Sequence, residues 1–322
     1  MRCCLALVSA MLGISAPAMA VAQSVPQLRN VVVRTHVSAA DASGIRTFEY
    51  RLSNGARSDG PVRSFDVRIS RGSNTAQLPI GGLTINFGAT VESLAGVIND
   101  FGMDGSQLVP TGCSGPPDWS CDLAVGGWIG FGVAVGKGIA PGDSRAGFIL
   151  RSPGLPGMVP ARLEPDYVYV SEGEGTEEDV QAARKASQEI ILPVQVVGPV
   201  APPSIFEPLL FTQAIRELMH ESQALGWIRS DHVEDALERR LGRMEADLKG
   251  GRPWEAVEVG RAFLDVLEDA SCKERDCDDK VVVTSDANAL LRFNMEYLLA
   301  HLQPAAKMKD ADDKERDRDH RR

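Results

Sequence analysis

The hydrophobic pattern repeats every second residue from about residue 30 to residue 198. In RSFDVRIS, residues 63–70, the apolar Phe65, Val67 and Ile69 alternate with polar neighbours, as in a strand with one buried face. Similar short runs occur at 31–37, 47–52, 83–87, 128–135, 147–150, 167–170 and 190–197. Short strands separated by turns rich in glycine and proline, such as RSPGLPG at residues 151–157, predict an antiparallel β-sandwich over 27–198, with roughly seven to nine strands.

Beyond residue 208 the hydrophobic spacing becomes that of a helix. Val233, Leu237, Leu241, Met244 and Leu248 follow one another at steps of four, four, three and four, which places them on a single helix face. Comparable stripes begin near 209, 253 and 286. The pattern predicts a small antiparallel helical bundle over 209–303, and hence an α+β protein of two domains.

The segments around these two regions have distinct compositions. Residues 199–208 are rich in proline, which predicts a stiff, extended linker. Residues 304–322 are nearly all charged and predict a disordered tail, since they offer little to bury. Residues 1–20 have an early positive charge, an apolar run and a small-residue Ala-Met-Ala pattern. They predict a secretory signal peptide, and thus a secreted or periplasmic protein without a membrane span.

Cysteine usage agrees with export. Four cysteines follow the predicted signal peptide, as the pairs Cys113 with Cys121 and Cys272 with Cys277. Two close pairs in an exported chain predict two local disulfides that staple loops. The alternative is a four-cysteine zinc site, but neither spacing matches the tight C-x2-C ligand motif.

The net charge of the chain limits the classes of partner that it is expected to bind. The formal net charge is -10 at pH 7, which argues against nucleic acid because phosphate binding needs a basic surface. The partners expected instead are an extracellular protein or a polysaccharide; the sequence leaves the oligomeric state open.

The segment GWIRSDHVEDALERRL, residues 226–241, places a histidine among carboxylates. In a helix, His232 and Asp235 share a face, the geometry from which a metal site would start. A helix start explains more of the segment, because Ser230 or Asp231 can cap exposed N–H groups. His36 on an early strand is the one candidate base for a hydrolytic triad, and the sequence does not select its partners. The prediction assigns no catalytic residue, no metal ligand and no cofactor.

The loop GCSGPPDWSC contains the best candidate for ligand contact. Closed by a disulfide, it would present Trp119 on a rigid tip. The competing interpretation is that Trp119 covers the end of the sandwich core. Trp227 and Trp254 stand at helix starts and are predicted to anchor the bundle.

Residues 223–302 contain four successive packing motifs: an opening GWI, the spaced leucines of 236–248, an Ala-Phe-Leu step at 262–264 and a predicted closing helix at 287–302. Through these motifs the segment resembles the FIMAH family of small helical domains, which occur at the C-terminal ends of bacterial exported proteins. The resemblance implies an accessory interaction module and brings no catalytic residue. The Cys272 to Cys277 insert departs from the family pattern. The preceding half resembles uncharacterised β-sandwich domains of bacterial exported proteins through FEYRLSNGARSDGPVRSFDVRI and APGDSRAGFILRSPGLPGMV.

The sequence therefore favours a secreted, non-catalytic binding protein with an accessory helical module. Two alternatives remain open: an extracellular hydrolase that uses the helices as a targeting module, and a self-assembling structural surface protein.

Overall fold

The computed structural model describes residues 26–69, 111–124, 128–166, 181, 190–203, 205–271 and 282–319 of the 322-residue chain. Within these residues nine strands precede four helices, an α+β architecture with its helices at the C-terminal end. The predicted signal peptide, the predicted strands at 83–87 and 167–170, and Cys272 and Cys277 lie outside the described residues.

The strands form two antiparallel sheets. They are β1 (Val32–Val37), β2 (Arg46–Ser53), β3 (Val62–Arg68), β4 (Gly112–Ser114), β5 (Trp119–Ala124), β6 (Trp128–Val133), β7 (Ser144–Ser152), β8 (Leu155–Pro165) and β9 (Leu192–Val200). One sheet has the order β1-β2-β7-β4 and the other the order β5-β6-β3-β8-β9. Six of these strands overlap predicted runs, which confirms a strand at each of those positions.

Aromatic side chains from both sheets share one core. The ring centroids of Tyr50 on β2 and Phe65 on β3 lie 5.3 Å apart, in an edge-to-face arrangement. Phe148 on β7 lies 5.6 Å from Phe131 on β6, and all four side chains are fully buried. Contacts of this kind stabilise a core beyond the burial of apolar area alone.

Strand β8 was missed by the sequence interpretation, which took RSPGLPG, residues 151–157, as a turn. The turn is confined to Pro153 and Gly154, and β8 begins immediately afterwards at Leu155. Nearly every residue of β8 is buried, so the strand has no solvent face and no alternating pattern. Its prolines also resemble turn signals in sequence.

The helices are α1 (Pro208–Ala224), α2 (Asp231–Lys249), α3 (Pro253–Ala270) and α4 (Ser285–Asp319). Helix α1 contacts α2 and α4, and α3 contacts the same two helices. The predicted start of α2 is confirmed, because the Val233 amide donates to the Ser230 hydroxyl oxygen at 3.4 Å. None of the helices in the described ranges is long and apolar enough to cross a bilayer.

Two predicted boundaries shift. Strand β9 continues to Val200, so the connector to α1 spans 201–207. The segment from 304 to 319, predicted as a disordered tail, is instead the continuation of α4. Adding residues to an existing helix avoids the cost of nucleation, and the alanine, lysine, arginine and glutamate of this segment have high intrinsic helix propensity.

Helix α4 joins the helical half to both sheets, contacting β1, β8 and β9. Asp286 in its first turn accepts a hydrogen bond at 2.8 Å from the backbone N–H of Thr35 on the edge strand β1. Two turns later the Asn294 amide donates to the Pro156 carbonyl of β8 at 2.8 Å. One hydrophobic core consequently runs through both halves of the chain.

The predicted disulfide between Cys113 and Cys121 is confirmed. Cys113 lies on β4 and Cys121 on β5, which are edge strands of different sheets. The bond therefore does more than close a loop, because it ties the two sheets together along one side.

We expect Cys113→Ser combined with Cys121→Ser to lower the free energy of unfolding by about 2 to 3 kcal/mol, the chain-entropy value for a short loop. Urea unfolding of the double variant, compared with the oxidised parent chain, measures the difference. Unchanged stability would show that the sheet edges are held by packing alone.

Candidate functional site

A cleft lies where the beginning of β8 and the end of β9 meet helix α1. Its sheet wall is formed by residues 155–158 and Val200, and the connector adds Ala201 and Pro203. Helix α1 forms another wall, and Asn294 of α4 also lines the cavity. The cavity volume is about 50 Å³, room for a few methyl-sized groups.

The lining of the cleft is mainly apolar. The side chains from α1 include Phe211, Ala214, Ile215 and Leu218. Phe211 and Ile215 are buried, whereas Ala214 and Leu218 are half-buried. The two half-buried side chains are spaced four residues apart and thus face the same way. They offer a binding surface for a small apolar group.

Glycine allows β8 and β9 to pair closely at the cleft. Gly157 on β8 is directly opposite Gly198 on β9. A Cβ atom added at Gly157 would lie 2.4 Å from a methyl carbon of Val200, which is too close for any contact between carbon atoms. Glycine at this position therefore leaves Val200 free to line the cleft.

Two carboxylates, Glu217 and Glu221, lie on the α1 side of the cleft. Glu217 is exposed and Glu221 is half-buried. Burial, together with the negative charge of Glu217, raises the pKa of Glu221. A cationic group placed beside Glu221 would favour the charged form of this carboxylate and so oppose the rise in its pKa.

Asn294 contributes little further hydrogen bonding to the cleft. Its side-chain nitrogen already donates to the backbone oxygens of Pro156 at 2.8 Å and Leu290 at 2.7 Å. The polar groups left for a ligand are thus mainly the carboxylate oxygens, which accept hydrogen bonds.

The sequence interpretation did not single out these cleft residues. The sequence does contain a pattern that marks this face of α1, because Ala214, Leu218 and Glu221 are spaced at i, i+4 and i+7. This second stripe lies beside the buried stripe of Phe211, Ile215 and Met219. A helix with two such stripes can pack on a core and line a groove at once.

The structure places the candidate Trp119 in the core and not at the tip of its loop. The side chain is 7% exposed, and its ring lies 4.8 Å from that of Phe148, edge to face. This placement matches the interpretation in which Trp119 covers the core. Trp227 is buried as predicted, but Trp254 is 55% exposed, so its predicted role as an anchor is wrong: Ala256, Val257 and Phe263 form the buried face of α3.

The histidines named in the sequence interpretation lie on the surface. His232 and Asp235 are both exposed on α2, and His36 is exposed on β1, where its Cα partner is Glu49. His220 lies between two carboxylates of α2, with ring nitrogens 3.5 Å from Glu234 and 3.6 Å from Glu238. Across the described residues, no group of three or more His, Cys, Asp or Glu side chains is arranged to hold a metal ion.

No family model matches the chain, and no curated protein matches it either. The geometry of the cleft between β8, β9 and α1 is therefore the basis for a proposed role.

Proposed function

We propose that the chain is an exported, non-catalytic binding protein whose cleft receives an apolar group of an extracellular partner. The observation that carries this proposal is the apolar lining of the cleft, which includes the half-buried Ala214 and Leu218. Burial of one aliphatic side chain contributes about 1.5 to 3 kcal/mol. A single such contact gives weak binding, as expected for a partner that binds reversibly.

In this proposal the two sheets form a β-sandwich and the four helices form a FIMAH-like accessory bundle. The inter-sheet aromatic contacts and the bond from Cys113 to Cys121 support the sandwich. The same disulfide and the apolar run of residues 3–14 support export. Because the cleft has walls from both parts, the helical module contributes directly to binding.

Filling the cleft should weaken the interaction. We expect Ala214→Leu to weaken binding of N-acetyl-leucinamide at least about tenfold, which corresponds to 1.4 kcal/mol, because the added carbon atoms occupy the space of the ligand. Methyl-resolved NMR titration measures both the affinity and the position of the probe.

Ala246→Leu is the matched control, since Ala246 is exposed on α2 and outside the residues that line the cleft. It should leave the affinity unchanged, and thermal unfolding should show that both variants are folded. The proposal would be wrong if the probe shifted resonances elsewhere or bound Ala214→Leu as tightly as the parent.

A further inference from the structure

The charges of helix α1 are segregated by face. Arg216 pairs with Glu238 of α2 at 2.9 Å and also contacts Glu245 of α2. His220, one turn further along, lies beside Glu238 as well. The basic side chains of α1 thus face α2, and acidic partners there compensate them.

The acidic side chains of the same helix face the cleft without such compensation. Within the part of the chain that the structure describes, neither Glu217 nor Glu221 has a salt bridge or a side-chain hydrogen bond. They are one helical turn apart, a spacing at which like charges repel. Each would be stabilised by a cation supplied from outside the chain.

We propose that the cleft binds a segment of a partner protein in which lysine or arginine lies next to an aliphatic residue. The aliphatic side chain enters between Ala214, Leu218 and Val200, and the cation lies over Glu217 and Glu221. This inference rests on the proposed function, because it adds a charge requirement to the same cleft.

The lining favours such a peptide over a carbohydrate. Sugar recognition commonly uses an exposed aromatic face together with side-chain donors and acceptors. The one aromatic side chain in the lining, Phe211, is 9% exposed. The amide of Asn294 is already engaged with Pro156 and Leu290. An apolar surface with acceptors on one side instead matches an aliphatic group beside an ammonium or guanidinium group.

Three capped dipeptides test the charge requirement on the full chain: N-acetyl-Leu-Lys-amide, N-acetyl-Leu-Gln-amide and N-acetyl-Leu-Glu-amide. We expect the lysine peptide to bind about fivefold more tightly than the glutamine peptide, and the glutamate peptide to bind least, because two partly exposed ion pairs each contribute modestly. The preference should diminish in about 0.5 M salt, where the Debye length is short. It should also diminish as the pH falls through the raised pKa of Glu221.

Glu217→Gln combined with Glu221→Gln should remove the preference while retaining binding of the glutamine peptide. The control is Asp265→Asn combined with Asp269→Asn, which neutralises two exposed carboxylates one turn apart on α3 and should leave the fivefold ratio intact. An equal loss in this control would mean that net charge alone attracts the peptide, and would overturn the inference.

The remaining outcomes separate the inference from the proposed function. If all three peptides bind equally and Ala214→Leu blocks them, the charge requirement is wrong and the apolar cleft stands. If none of the peptides binds, or Ala214→Leu has no effect on them, both proposals fail. Binding of a neutral oligosaccharide at the same NMR resonances, in preference to the lysine peptide, would also overturn the inference.

Discussion

Replacing Asp286 with alanine is expected to lower the free energy of unfolding by about 3 to 5 kcal/mol, the range for breaking a buried charged pair. Asp286 is fully buried. It accepts a hydrogen bond from the Thr35 backbone, and Arg34 Nη1 lies 3.7 Å from its second oxygen. Without the carboxylate, a buried N–H group loses its acceptor, an arginine loses an anionic partner, and α4 loses an acidic residue from its first turn.

Asp286→Asn distinguishes these contributions, because it keeps an acceptor of the same shape and loses only the charge. We expect it to cost less than Asp286→Ala. Asp231→Ala is the matched control, since Asp231 occupies the first turn of α2 but is exposed; it should cost less than about 1 kcal/mol. Equilibrium urea unfolding measures all three variants. Similar small losses for Asp286→Ala and Asp231→Ala would show that Asp286 does not join the halves.

The second large effect is expected at Arg162. Its guanidinium group contacts Asp66 across strands β8 and β3, with Nε to Oδ2 at 2.5 Å, and lies 4.6 Å from the centre of the Trp128 ring. Both members of the pair are buried. Arg162→Met leaves the Asp66 carboxylate buried without this partner, so we expect a loss of about 3 to 5 kcal/mol near neutral pH.

This loss should depend on pH in a defined direction. Burial already raises the pKa of Asp66, and Arg162 opposes that rise. Arg162→Met therefore raises the folded-state pKa of Asp66 further above its unfolded value. The electrostatic part of the loss should be complete above the folded pKa of Asp66 in the variant and shrink as the pH falls towards the folded pKa of the parent chain. It should vanish below the parent value, because Asp66 is then protonated in both folded proteins. Urea unfolding from neutral pH into the acid range tests this trend.

Two further variants test whether the unpaired charge of Asp66 causes this loss of stability. Asp66→Leu combined with Arg162→Met should recover most of the stability, because it removes the unpaired charge and fills the same space. Arg151→Met breaks a half-exposed pair with Asp41 and should cost less than about 1 kcal/mol. If the double variant were no more stable than Arg162→Met, the loss would come from packing against Trp128 and not from the unpaired buried charge of Asp66.

Local patterns predicted much of the secondary structure. Alternation of apolar and polar residues located strands such as β1 and β2, because each buries one face and leaves the other more exposed. Helical spacing located α2, and Ser230 marked its start through a local capping bond. Such features depend on neighbouring residues and are therefore visible in a single sequence.

The same reasoning failed for strand β8, which is buried on both faces. Strand β8 is buried along nearly its whole length and is interrupted by prolines, so neither alternation nor composition marked it. Trp119 has the same appearance in sequence whether it faces a ligand or Phe148. Only the tertiary structure shows the Trp119 ring buried against Phe148 of β7.

By itself, the sequence determined the α+β class, the order of strands before helices and the local cysteine pair, because periodicity and short spacings are properties of neighbouring residues. The tertiary structure alone decided that Asp286 meets Thr35, 251 residues away in the chain. It likewise decided that Val200, Ala214 and Asn294 line one cleft. Contacts across such separations depend on how sheets and helices pack, and the periodicity of each element is the same whichever neighbour covers its apolar face.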